Sequence, residues 1–90
     1  MICDKDVIIK EFTPIVLQTV VPHGAALICV YNNPTDYPGR YVARLFDGSR
    51  ATHIIVLADS IEELRMSKPN KMSIIDRTSR DAEIIKEIWI

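Results

Sequence analysis

The sequence predicts an α+β domain, a mainly antiparallel or mixed β-sheet with one short helix on one face. Three observations carry this. Residues 41–47, YVARLFD, carry β-branched and aromatic side chains and run into Asp47-Gly48-Ser49-Arg50, where Asp and Gly favour a turn. Residues 53–58, HIIVLA, are almost unbroken in apolar character, as a strand covered on both faces would be, although so short a run also fits a buried helical segment. Ser60 stands three residues before Glu63, the spacing at which the hydroxyl accepts from the Glu63 N–H while the carboxylate reaches back. Pro69 then ends that helix after about two turns.

The remaining elements follow in order. Residues 4–12, DKDVIIKEF, fit either a helix or a strand, since Val7, Ile8, Ile9 and Phe12 have helical spacing and branched side chains favour a strand. Pro14 prevents a helix from continuing smoothly past it. Residues 15–21 and 25–31 read as two strands reversed at Pro22-His23-Gly24, an antiparallel hairpin. Residues 32–39, NNPTDYPG, form a loop, and loops held by a rigid sheet often carry recognition. A short strand is expected over 72–77, around Ile74 and Ile75, and a polar connection over 78–83. Residues 84–90, IIKEIWI, have helical spacing at Ile84, Ile85, Ile88 and Trp89, but the density of Ile selects a strand.

Ninety residues make a single domain, 1–90, which at this size buries only about 60 to 65 per cent of the surface its unfolded chain exposes. Eleven basic and twelve acidic residues leave a net charge of −1, which supplies no general attraction to nucleic acid or to an anionic membrane. No apolar run approaches the roughly 20 residues of a membrane span, and the N-terminal residues MICDKDVIIKEF carry acids where a signal peptide carries bases. The expectation is a soluble cytoplasmic protein. Cys3 and Cys29 lack CxxC spacing and read as reduced thiols.

Chemistry-bearing residues are sparse. Cys3, His23, Cys29 and His53 match a structural zinc site in number but not in spacing, so no metal or other cofactor is expected. Asp47, Asp59, Asp76, His23, His53, Ser60 and Ser79 form no GxSxG, HExxH or DxD-like signature, and three scattered glycines make no phosphate-binding loop, so a non-enzymatic protein is expected. The more specific constellation is basic and aromatic. Period two along 40–47 sets Arg40, Val42, Arg44 and Phe46 on one face, Tyr41, Ala43 and Leu45 on the other, with Arg50 near the end of the first. Tyr37, Arg40, Arg44, Phe46 and Arg50 are thus the candidate partner-binding residues, for a protein or, less favoured, a nucleic acid or nucleotide. The structural alternative packs Val42 and Phe46 into a core or subunit contact and pairs Arg44 with Glu62, Glu83 or Glu87. Exposed sheet edges also offer a route to a homodimer.

The phrases PHGAALI, YPGRYVARLFD and ADSIEELR resemble a group of short bacterial proteins of unknown function, found in Gram-positive bacteria and their mobile elements. The resemblance extends from about Phe12 to Trp89. It transfers no catalytic or binding residue, and implies a small accessory protein of a mobile element or phage that binds rather than catalyses. Together these readings point to an interaction or regulatory protein acting through the 32–39 loop and the Arg40/Arg44/Phe46 face.

Overall fold

Thr13-Pro14 is a helix start. In the computed structural model, which describes residues 6–76 and 85–90, the elements in chain order are β1 (Val7–Ile8), α1 (Pro14–Val20), β2 (Ala26–Asn32), β3 (Tyr41–Asp47), β4 (Arg50–Ala58), α2 (Ile61–Arg65), β5 (Ile74–Asp76) and β6 (Ile85–Trp89). A helix thus replaces the strand expected over 15–21. The Thr13 Oγ1 accepts from the Val16 N–H at 3.1 Å, and Pro14 stands at the start of the helix, where a missing N–H leaves no bond unmade. Leu17 and Val20 pack on the core while Ile15 stays 76% exposed, so helical spacing and the cap outweigh the strand preference of the branched residues. The hairpin expected across Pro22-His23-Gly24 does not form, and β2 pairs with β3 instead.

The six strands make one mixed sheet in the order β1-β4-β3-β2-β6-β5, with β1 parallel to β4 and every other neighbour antiparallel. Of segment 4–12, the described residues 6–12 contribute the two-residue β1. The β3–β4 turn is the tight reversal expected at Asp47-Gly48-Ser49-Arg50, with Gly48 at φ 62° in its first central position. The strand expected in segment 84–90 forms as β6 over its described residues, and it is an inner one, lying between β2 and β5. Its pairing with the β5 side continues past the strand, because the backbones of Ile90 and Ser73 exchange hydrogen bonds at 2.6 and 3.0 Å. The connection expected over 78–83 and the thiol of Cys3 lie outside the described residues.

Among the described residues two short helices, not one, cover the first face of this sheet. Beneath them lie Ile28 and Val30 of β2, Ala43 and Leu45 of β3, Val56 and Ala58 of β4 and Trp89 of β6, joined by Phe12, Val21 and Leu64. Phe12 meets Trp89 edge to face, with ring centroids 6.4 Å apart at 85°. The α2 cap forms as its spacing implies. The Glu63 N–H donates to Ser60 Oγ at 3.1 Å, and the Glu63 carboxylate accepts from the N–H of Asp59 at 2.9 Å. After Arg65 the helix tightens into i to i+3 bonds up to Lys68, just short of Pro69. Glu87 is 1% exposed on this face and is held by Arg65 through two bonds of 3.0 Å. That carboxylate would be costly to bury alone, so Arg65 clamps α2 to β6.

Trp89 is fully buried, yet its Nε1–H finds no acceptor among the described residues. Leaving a donor dry costs about 1–3 kcal/mol, which a phenylalanine at the same place would not incur. Trp89→Ala should therefore lower the unfolding free energy by about 3–5 kcal/mol and Trp89→Phe by less than about 2, measured by urea denaturation followed by circular dichroism.

Candidate functional site

The second face of the sheet carries no helix among the described residues. Its middle row can be read from the registers: Ile75 of β5, Ile88 of β6, Cys29 of β2, Arg44 of β3, Ile55 of β4 and Ile8 of β1 stand side by side. Five of six are apolar or weakly polar, and the sixth is a cation. An arginine in such a row needs a counter-charge nearby.

Asp6 supplies it. Being two residues before Ile8 on a parallel strand edge, Asp6 falls on the same face, and its side chain is 2% exposed against 16% for Arg44. Arg44 grips the carboxylate in a fork, Nη1 to Oδ1 at 2.8 Å and Nη2 to Oδ2 at 2.9 Å. Nη1 also donates to the Thr52 carbonyl at 2.8 Å. That carbonyl lies at an irregularity in the ladder, where the β3–β4 register shifts between Arg44 and Phe46. Thr52 fastens the shifted strand by donating its hydroxyl to the Leu45 carbonyl at 2.6 Å. His53 brings Nδ1 to 3.6 Å from Asp6 Oδ1. The acid that Arg44 uses is therefore none of Glu62, Glu83 and Glu87, and Glu87 is engaged by Arg65.

The loop between β2 and β3 closes over this pair. Asn33, at φ 57°, takes the left-handed conformation that asparagine tolerates; its N–H donates to the Arg40 carbonyl at 2.8 Å and its Oδ1 accepts from the Gly39 N–H at 2.6 Å. Inside that closure the Tyr37 N–H donates to the Pro34 carbonyl at 3.0 Å. The side chain of Tyr37 lies back across the sheet, and its hydroxyl donates to Asp6 Oδ2 at 2.9 Å. Between loop and sheet remains a cavity of about 240 Å³, walled by Tyr31, Pro34, Tyr37 and Val42, with Thr35 and Asp36 from the loop and Arg44 from the sheet.

Electrostatics follow from this packing. Burial, then the hydrogen bond and charge of Asp6, push the Tyr37 phenol up to about 12, with Arg44 pulling the other way. Tyr31 is also raised, mainly by burial and then by Cys29. Both phenols are neutral at physiological pH, so the cavity presents aromatic walls with neutral hydroxyl groups.

Of the residues expected to act together, Tyr37 and Arg44 meet. Phe46 lies half-buried on the same face, opposite Leu27 and Ala51. Arg40 does not join them: its Nε sits 2.8 Å from Asp59 Oδ1, a charge contact without hydrogen-bond geometry. Arg50 begins β4 at the exposed hairpin turn. Asp6 and Tyr31 are the members that sequence reasoning missed. The only local sign of Asp6 is an acid just before an apolar pair, and its partner lies 38 residues away. His23 lies in the turn between α1 and β2, Cys29 on β2 and His53 on β4, and no group of three or more His, Cys, Asp or Glu is placed to hold a metal among the described residues. Nor, among them, is any helix long and apolar enough to cross a membrane. Compared with protein-family models, with curated proteins and with solved structures, the chain finds no match.

Asp6→Asn keeps the shape but strips Arg44 of its counter-charge, and should cost about 3 kcal/mol in urea unfolding. Tyr37 gives a pH signature. Between its ordinary 10.0 and its folded value of about 12 the folded chain keeps a proton that the unfolded chain has released. Its contribution to stability is thus complete below pH 10.0 and is lost as the pH rises to about 12. Tyrosinate absorbance should show a late-titrating component that Tyr37→Phe removes.

Proposed function

We propose that this chain is a small non-enzymatic interaction protein, cytoplasmic and of the kind a mobile element carries, which binds a protein partner by receiving one of its apolar or aromatic side chains in the cavity between the loop and the sheet. The observation that supports this reading is the cavity itself. Its about 240 Å³ matches the scale of one large side chain, its walls are Tyr31, Pro34, Tyr37 and Val42, and polar groups sit at Thr35 and Asp36. Aromatic walls with a polar surround are what energetic anchors of protein interfaces use. The wall is also held in place before binding, since Tyr37 is fixed by Asp6, and a fixed wall lowers the ordering cost of association.

Nucleic acid is the less favoured reading. Arg44 is neutralised by Asp6 and Arg40 stands beside Asp59, which removes two of the three cations on which phosphate contacts would rest.

The test fills the cavity. Thr35→Trp places an indole where the partner side chain would go and leaves Asp6, Arg44 and Tyr37 untouched. Tagged parent and variant are used to capture ligands from a lysate of the native host, with and without nuclease. A protein held in stoichiometric amount by the parent, resistant to nuclease and lost with Thr35→Trp is the expected result. Equal capture by both proteins would rule the cavity out, and capture abolished by nuclease would transfer the role to nucleic acid.

A further inference from the structure

The groups that receive the Asp6 carboxylate come from one continuous stretch, residues 37–53, and the acid comes from outside it. Arg44 and Tyr37 donate to the carboxylate, and His53 stands 3.6 Å away. Arg44 keeps a second hold on the Thr52 carbonyl at 2.8 Å, which does not depend on Asp6. A guanidinium fork with a phenol donor beside it suits a carboxylate whichever molecule supplies the acid. The strand that supplies it here is held shallowly. β1 is an end strand of the sheet, paired with β4, and Val7 and Ile8 stay 51% and 57% exposed, outside the core. The chain is fastened again just beyond, where the Ile9 N–H donates to the Ile55 carbonyl at 2.8 Å and Phe12 enters the core. Residues 6–8 therefore form a strap over the edge of β4.

From this geometry we infer that Arg44 and Tyr37 form a carboxylate-binding site, which the chain closes with its own Asp6 and which opens to an acidic side chain of a partner when the strap is displaced. Like replaces like in that exchange. Arg44 stands in an apolar row, so vacating the site without an incoming anion would leave a sheltered cation unmatched, and strap release is thereby tied to the arrival of a carboxylate. The incoming acid remakes the bond to the Tyr37 hydroxyl, so the wall of the neighbouring cavity keeps its position, and the site does not depend on that cavity being used. Asp6 also defines its rival. An acid on the same chain competes at an effective concentration of about millimolar or above, which a weakly held free carboxylate does not overcome. An acid on an extended segment does, because its backbone takes the place that β1 vacates beside β4, with an apolar residue two positions on where Ile8 stood opposite Ile55. The partner chemistry is thus an extended peptide segment that reads acid, any residue, apolar, as Asp6-Val7-Ile8 does.

Thermal unfolding followed by circular dichroism near neutral pH tests this, with sodium acetate compared against sodium chloride at equal ionic strength. Asp6→Ala vacates the site. Acetate should raise its midpoint by about 5 °C or more once present at about ten times its dissociation constant, and should leave the parent unmoved. Arg44→Met in the Asp6→Ala background should abolish the response, whereas Thr35→Trp in that background, which fills the cavity alone, should keep it. The end-capped peptide of residues 5–10, KDVIIK, should act at a concentration about tenfold or more below that of acetate, and its Asp6→Asn form should not. Should Asp6→Ala fail to fold, Val7→Gly combined with Ile8→Gly loosens the strap and keeps Asp6 and every donor, and the peptide should then raise the midpoint of this variant more than that of the parent. An Asp6→Ala midpoint that responds to acetate no more than to chloride would overturn the proposal. So would an equal response to inorganic phosphate, a response that survives Arg44→Met, or a strap variant that answers the peptide no better than the parent.

Discussion

A carboxylate that water hardly reaches must be surrounded by donors, and Asp6 shows how much structure that requirement can organise. Arg44 from β3 and Tyr37 from the loop donate to it, and His53 of β4 stands 3.6 Å away. Each contact fixes something otherwise loose: a two-residue strand at the sheet edge, a loop with two prolines, and a long arginine that would otherwise point away from an apolar row. The same fork explains why a cation is tolerated there. Its charge is spent on an acid from the same chain, leaving a surface close to neutral.

The two faces of the sheet solve the problem of cover differently. On the first, helices α1 and α2 supply Leu17, Val20, Ile61 and Leu64, and one buried ion pair, Arg65 with Glu87, locks the second helix to β6. On the second, a loop and a polar clasp stand in for a helix over part of the area. A loop held by a handful of hydrogen bonds, five among the described residues, is easier to reshape than a packed helix, which places adaptable recognition beside an unyielding core.

Local signals made much of this legible from the residues. The turn at Gly48, the Ser60–Glu63 cap, the run 53–58 and the alternation along 41–47 each depend on residues a few positions apart, and each appears where the sequence puts it. Segment 84–90 has helical spacing, but its isoleucines favour the strand that residues 85–89 form. At 13–21 two local signals compete: the branching of Ile15, Val16, Val20 and Val21 favours a strand, while Thr13-Pro14 suits a helix start, and the helix wins with Pro14 as its first residue. What local signals do not contain is pairing at long range. Nothing near Asp6 names Arg44, and the register shift that turns the Thr52 carbonyl toward the guanidinium arises only once β3 and β4 are side by side.

The position of β6 has a consequence for synthesis. As the chain emerges from the ribosome, β2, β3 and β4 can assemble into a meander at once, since each joins the next. The outer side of β2 stays unpaired until residues 85–89 arrive, and Phe12 waits as long for the indole it packs against. Until then the nascent chain presents a bare strand edge and an unfinished core, and β6 both seals the edge and completes the packing. Vulnerability to mispairing is concentrated in that interval, so a helper protein that shields the outer side of β2 would act there rather than on any one contact of the finished fold.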